Sequence, residues 1–201
     1  RAASDNIAEL QQAYQQFNRV WLSNERVVRN TSMGHYGSIE TAMALMRVAI
    51  ESSPPNIDKI KQQSLALKTA LDSYHSGETA VVTQSTYTLN DGTQLLREGF
   101  NAFQANNISQ GQDKLTRFIE IWPSIEGDVS TRNPALYSRI ESQIPVILAK
   151  GNEPMQQNAL NELISELASI NPNQQYSAVD AMLILLREGV EAMLIVIALI
   201  S

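Results

Sequence analysis

The 201 residues carry 21 acidic and 15 basic side chains, a formal charge of -6 at pH 7, and no cysteine. That balance argues against nucleic acid, which selects basic faces, and the missing thiols exclude disulfides and thiolate metal sites. The length suits one or two domains with a sizeable core, and few glycines with long 3.6-residue periodicities make the fold class all-α.

Ile7, Leu10, Tyr14, Phe17, Trp21 and Val28 form a stripe that predicts a helix over about residues 5–29. Ile39, Met43, Met46 and Ile50 mark a second helix, ended by Pro54-Pro55. A third is expected over 56–76, with Ile57, Ile60, Leu67 and Leu71 inward and Gly77 as its stop. Residues 77–91, rich in Thr, Ser and Val, read as a linker. A fourth helix is expected over 93–105, and Ser109 suits the N-cap of a fifth. Pro134 opens a sixth helix, which Pro145 should kink and Gly151 should stop. The seventh, over 153–170, presents Leu160, Leu163, Ile164 and Leu167, and Asn171-Pro172-Asn173 breaks it.

An internal repeat organises this helical part. Phe17, Trp21, Glu25, Tyr36, Ile39 and Glu40 recur without a gap as Phe118, Trp122, Glu126, Tyr137, Ile140 and Glu141. Both tryptophans of the chain take part. Leu95-Leu96-Arg97-Glu98-Gly99 further matches Leu185-Leu186-Arg187-Glu188-Gly189 at a shorter offset. The expected architecture is a helical bundle of two tandem repeats of about 100 residues, one over 1–105 and one over 106–176.

The repeated aromatics read as packing, but the repeated glutamates need an account. Glu25 lies one turn beyond Trp21, hence on the apolar face, and Glu126 repeats that placement. A carboxylate is almost never fully buried unless it is paired or bound. One reading pairs these residues with Arg26, Arg29, Arg132 or Arg139, or makes them helix caps. The other makes Glu25, Glu40, Glu126 and Glu141 a hard-cation site supported by Tyr36 and Tyr137. Each tyrosine stands four residues before Glu40 or Glu141, on a shared helix face. A di-iron oxidase would want Glu-x-x-His pairs, whereas Met43 and Ile144 stand at those positions. Neither His35 nor His75 fits that spacing, and no nucleophile elbow, P-loop or zinc motif occurs. The chain reads as a non-enzyme.

The last stretch, Ala181 to Ile200, is twenty residues of apolar helix candidate with Arg187, Glu188 and Glu191 in its middle. It would be roughly 30 Å long, the thickness of a bilayer's hydrocarbon core. The three charges share one helical stripe. Each costs about 2.5–3.5 kcal/mol at a membrane helix centre, against about 0.3–0.6 kcal/mol returned per aliphatic residue. Such a helix is poor as a lone lipid-facing span, and sensible if the stripe faces other helices or a wet ion path. The alternative is a core helix with a satisfied Arg–Glu cluster.

Arg187-Glu188-Gly189-Val190-Glu191 resembles the Arg-Glu-Gly-Leu-Glu signature of the Ftr-type high-affinity iron permeases, with Val190 in the Leu position. In that family the motif lies inside the first transmembrane helix. The resemblance implies iron import across a cytoplasmic membrane, with Glu188 and Glu191 as iron ligands. Arg187 would support them, and Gly189 would allow close helix approach. It also implies that residues 1–176 form an extracytoplasmic domain and 177–201 the first transmembrane helix. The later membrane helices, with a second such motif, are missing, so the chain is read as a piece of a permease. Iron, those remaining helices and a periplasmic delivery or redox protein are the expected partners. The competing readings are a soluble all-α metal-binding or adaptor module, and a helical interaction protein without metal.

Overall fold

Apolar residues at helical spacing account for every element of the computed structural model, which describes residues 2–80 and 87–170. Among the described residues there are seven helices and no strand. They are α1 (Ala2–Thr31), α2 (Met33–Glu51), α3 (Ile57–Ser76), α4 (Leu89–Gln104), α5 (Ile108–Arg132), α6 (Pro134–Lys150) and α7 (Pro154–Ser169). None of these helices is long and apolar enough to cross a membrane. The expected span, with Arg187, Glu188, Gly189 and Glu191, lies outside the described residues.

Several helix ends differ from expectation, each for a local reason. Helix α4 starts four residues early, at Leu89, because Thr88 and Asp91 form a reciprocal capping box. The Asp91 carboxylate accepts from Thr88 N at 2.7 Å, and the Thr88 hydroxyl accepts from Asp91 N at 3.3 Å. Thr93, the expected start, is instead a buried interior residue bonded to Leu89 O at 2.8 Å. We expect Thr88→Ala to cost about 1 kcal/mol, a fall of about 2–4 °C in the thermal midpoint, measurable by circular dichroism. The cap of α5 is Asn107 rather than Ser109, its side chain accepting from Gln110 N at 3.3 Å. Ile57 is exposed rather than inward, because the stripe facing α2 begins one turn later at Ile60.

Two expected glycine stops act by different means. Gly77 closes α3 at φ 74, a left-handed conformation that disfavours any Cβ. Gly151 after α6 is right-handed, at φ -63. It is needed for space, since a Cβ there would stand 2.4 Å from Phe103 Cζ. Pro145 does not break α6, which runs on to Lys150.

Residues 1–170 form one unit with two apolar cores. The first gathers Trp21, Tyr36, Ile39, Met43, Ile60 and Leu67 from α1 to α3. The second gathers Leu96, Phe103, Phe118, Trp122, Ile140 and Leu163 from α4 to α7. Helix α2 joins them by packing on α5 and α6 as well as on α1 and α3. The repeated glutamates stand at this junction.

Candidate functional site

Two aromatic-carboxylate arrangements of the same kind flank the junction. Trp21 on α1 donates its indole N–H to Glu40 on α2, and Trp122 on α5 donates to Glu141 on α6 at 2.9 Å. Each indole also stacks on a tyrosine of the second helix. Trp21–Tyr36 and Trp122–Tyr137 both have centroids 6.1 Å apart, with interplanar angles of 21° and 23°. The apolar bodies fill the cores while their polar tips turn to the carboxylates.

The two arrangements differ in where the tyrosine hydroxyl goes. Tyr36 reaches across from α2 to α5 and donates to Glu126 Oε1 at 2.5 Å. The Tyr137 hydroxyl lies on the side of Glu141 on its own helix and stabilises that carboxylate. Arg29 on α1 lies over the Tyr36 ring at 5.6 Å and brings a guanidinium nitrogen 3.4 Å from Glu126 Oε1. Gly127 leaves room for that guanidinium, since a Cβ there would meet its Nη2 at 2.9 Å. Glu126 has no solvent exposure, and its second oxygen has no hydrogen-bond partner. One oxygen of the half-buried Glu25 is likewise buried without a partner.

Electrostatics tie the four carboxylates together. Burial comes first in every case, because it disfavours the charged form. Burial pushes Glu126 up to about 8, with Glu141 and Glu25 adding to the shift while Tyr36 and Arg29 oppose it. Glu40 also rises to about 8, from burial and then the nearby Glu141 charge, despite the Trp21 N–H. Glu25 is raised by burial and by Glu141, against Arg29. Glu141 is raised by burial and held back by its bonds from Trp122 and Tyr137. Burial and the surrounding carboxylates hold the Tyr36 and Tyr137 hydroxyls far up, in the protonated form that donates.

Glu25, Glu40, Glu126, Glu141, Tyr36 and Tyr137 thus meet in one neighbourhood, supplied by four helices. As the helices stand, no three His, Cys, Asp or Glu among the described residues are arranged to hold a metal ion. Of the expected arginine partners, Arg29 takes Glu126, a residue of the other helix pair. Arg139 turns away to Glu166 at 2.5 Å and Glu162 at 3.9 Å on α7. His35 is a packing residue, bonded to Ser32 Oγ at 2.8 Å and edge-on to Tyr74.

A cleft of about 270 Å³ opens beside the cluster, between α1, α2, α5 and α6, with Glu40 and Glu141 in its lining. Tyr14 and Arg47 line it too. Sequence reasoning left Arg47 out and took Tyr14 only as part of a stripe. Arg47 stands seven residues after Glu40, two turns along the same face, which was the available signal.

The chain is similar to an iron permease. It is 24% identical over 196 residues to the iron permease EfeU of Bacillus subtilis (strain 168), a match covering 95% of this chain. The chain spans 40% of that relative's length. No family model and no solved structure matches the chain.

Proposed function

We propose that this chain serves iron transport as the extracytoplasmic iron-binding domain and first membrane span of an iron permease. The observation that carries the cation-binding part is the meeting of Glu25, Glu40, Glu126 and Glu141, with Arg29 ion-paired to Glu126. Carboxylate oxygens are the donors a hard cation prefers, and several can share one ion. Small side-chain rotations would bring them inward, exchanging protons for the cation and giving the unpartnered oxygens of Glu25 and Glu126 a ligand.

On this reading the two helix pairs are copies of one unit, and the matched Trp–Tyr stacks and Trp–Glu bonds support that origin. Residues 181–200 form the span, with Glu188 and Glu191 as iron ligands and Arg187 holding them ionised until iron arrives. Gly99 is the counterpart of Gly189 in the shorter match. A Cβ on it would stand 2.2 Å from Leu115 Cδ1, so the glycine lets α4 approach α5 closely. Gly189 would serve a partner helix in the same way. The helices that complete the path, and a periplasmic protein that delivers or oxidises iron, are the partners this role requires.

Calorimetric titration of the chain with ferrous iron under anaerobic conditions, and with manganese, tests the cation site. Binding should weaken at least tenfold in Glu25→Ala/Glu126→Ala. Unchanged binding in that variant would make these glutamates structural and leave the domain a role in partner contact.

A further inference from the structure

The cleft beside the carboxylates is built for more than a bare cation. Two of its lining residues, Glu40 and Glu141, belong to the cluster. Its other walls are largely apolar and aromatic, among them Met43, Phe118, Trp122, Ile144 and Pro145. A hydrated ion gains nothing from such walls, and about 270 Å³ is several times the roughly 30 Å³ share of one water. An organic body would gain from them, since small-molecule sites combine apolar walls with a few polar groups that fix orientation.

The polar group that breaks the acidic pattern is Arg47. It is half-buried, lines the same cleft as Glu40 and Glu141, and acts electrostatically on Tyr14. Among the described residues it has no carboxylate within ion-pair distance, although Glu51 stands one turn away on its own helix. A guanidinium is a fork that matches a carboxylate with two parallel hydrogen bonds. The cleft therefore offers carboxyl oxygens on one part of its lining, which a metal can deprotonate and bind, a cationic fork on another, and apolar surface around them.

We propose that this cleft takes the cation as a complex with a small aromatic hydroxy acid. The metal faces Glu40 and Glu141, the ring lies against the apolar wall, and the acid's carboxylate is held by Arg47. The inference rests on the cation reading above and deepens it by naming the form in which the cation arrives. Binding is ligand exchange alone, with no change of oxidation state. A carboxylate bridging metal and guanidinium would offset the positive charge that Arg47 otherwise brings near the ion.

Ferric salicylate is a suitable probe because its charge-transfer colour reports the coordination of the metal. The wild-type chain should retain the coloured complex through gel filtration, shift its absorption band, and bind it at least tenfold more tightly than ferric citrate. Arg47→Gln should lose at least tenfold in affinity for ferric salicylate while binding manganese alone at least as tightly as the wild type does, because a positive charge near the ion is gone. Arg47→Lys, which keeps the charge without the fork, should recover part of the loss. Equal affinity for the citrate complex, or an Arg47→Gln variant that still binds ferric salicylate fully, would overturn the proposal. So would manganese binding without retention of ferric salicylate, which leaves the cation site standing. Failure to bind either manganese or the ferric complexes would overturn the cation reading itself.

Discussion

The metal-free protein should lose thermal stability as the pH is raised from 5 to 8, and a bound cation should flatten that slope. Glu40 and Glu126 move from an ordinary value of 4.5 to about 8 on folding, burial being the main cause. Below pH 4.5 these carboxyls are protonated in both the folded and unfolded chain, and the full stability is present. Between 4.5 and 8 the unfolded chain releases protons that the folded chain retains. Folding is then penalised increasingly as the pH rises, by up to about 1.4 kcal/mol per pH unit for each group. Glu25 and Glu141 shift in the same direction. Two such groups give at most about 8 kcal/mol over the three pH units, so at about 2–4 °C per kcal/mol for a unit of this size the midpoint should fall by on the order of 20 °C across the window. Differential scanning calorimetry at half-unit pH steps measures this directly. Saturating manganese should raise the midpoint most at pH 8, because the ion replaces the protons the site must shed. A midpoint that stays level or climbs from pH 5 to 8 would show the carboxyls to be ionised and satisfied without a cation.

The helices were legible because they are amphipathic over several turns. Ile39, Met43, Met46 and Ile50 on α2, and Leu160, Leu163, Ile164 and Leu167 on α7, are all buried as the period requires. Their ends were less legible where adjacent polar residues compete for one cap. Asn106, Asn107 and Ser109 all suit the start of α5, and the backbone decides among them. Asn106 takes φ 58 and ends the preceding turn, leaving Asn107 to accept from Gln110 N.

The same distinction runs through the site. The placing of Trp21, Glu25, Tyr36 and Glu40 and of their counterparts on apolar faces follows from spacing along single helices. The bond of Tyr36 to Glu126 and the approach of Arg29 do not. They depend on how α2 seats against α5, which is set by packing such as Gly37 on Pro123, where a Cβ on the glycine would meet Pro123 Cβ at 3.6 Å. Residues so far apart in sequence carry no periodic signature of their contact.

Those two cross-contacts give the second large effect. Tyr36→Phe/Arg29→Met would strip Glu126 Oε1 of its hydroxyl donor and its nearby positive charge together. Both replacements keep most of the apolar volume, so the loss falls mainly on the carboxylate. At pH 8 the variant must either bury an uncompensated charge or keep a proton, and breaking a buried pair costs about 3–5 kcal/mol. Arg29 is about one-third exposed, which screens its share and places the expected loss toward the lower end. A fall of about 6–12 °C in the midpoint should follow at pH 8. At pH 5 the Glu126 carboxyl is neutral in wild type and variant alike, so the difference should shrink to the loss of one hydrogen bond, about 1 kcal/mol. Cation binding should respond in the opposite sense. With Arg29 gone, its guanidinium no longer competes for Glu126, and manganese should bind the variant at least as tightly as the wild type. A double variant equally destabilised at both pH values would mean that Tyr36 and Arg29 act through packing alone, and that the Glu126 carboxylate is not what they hold.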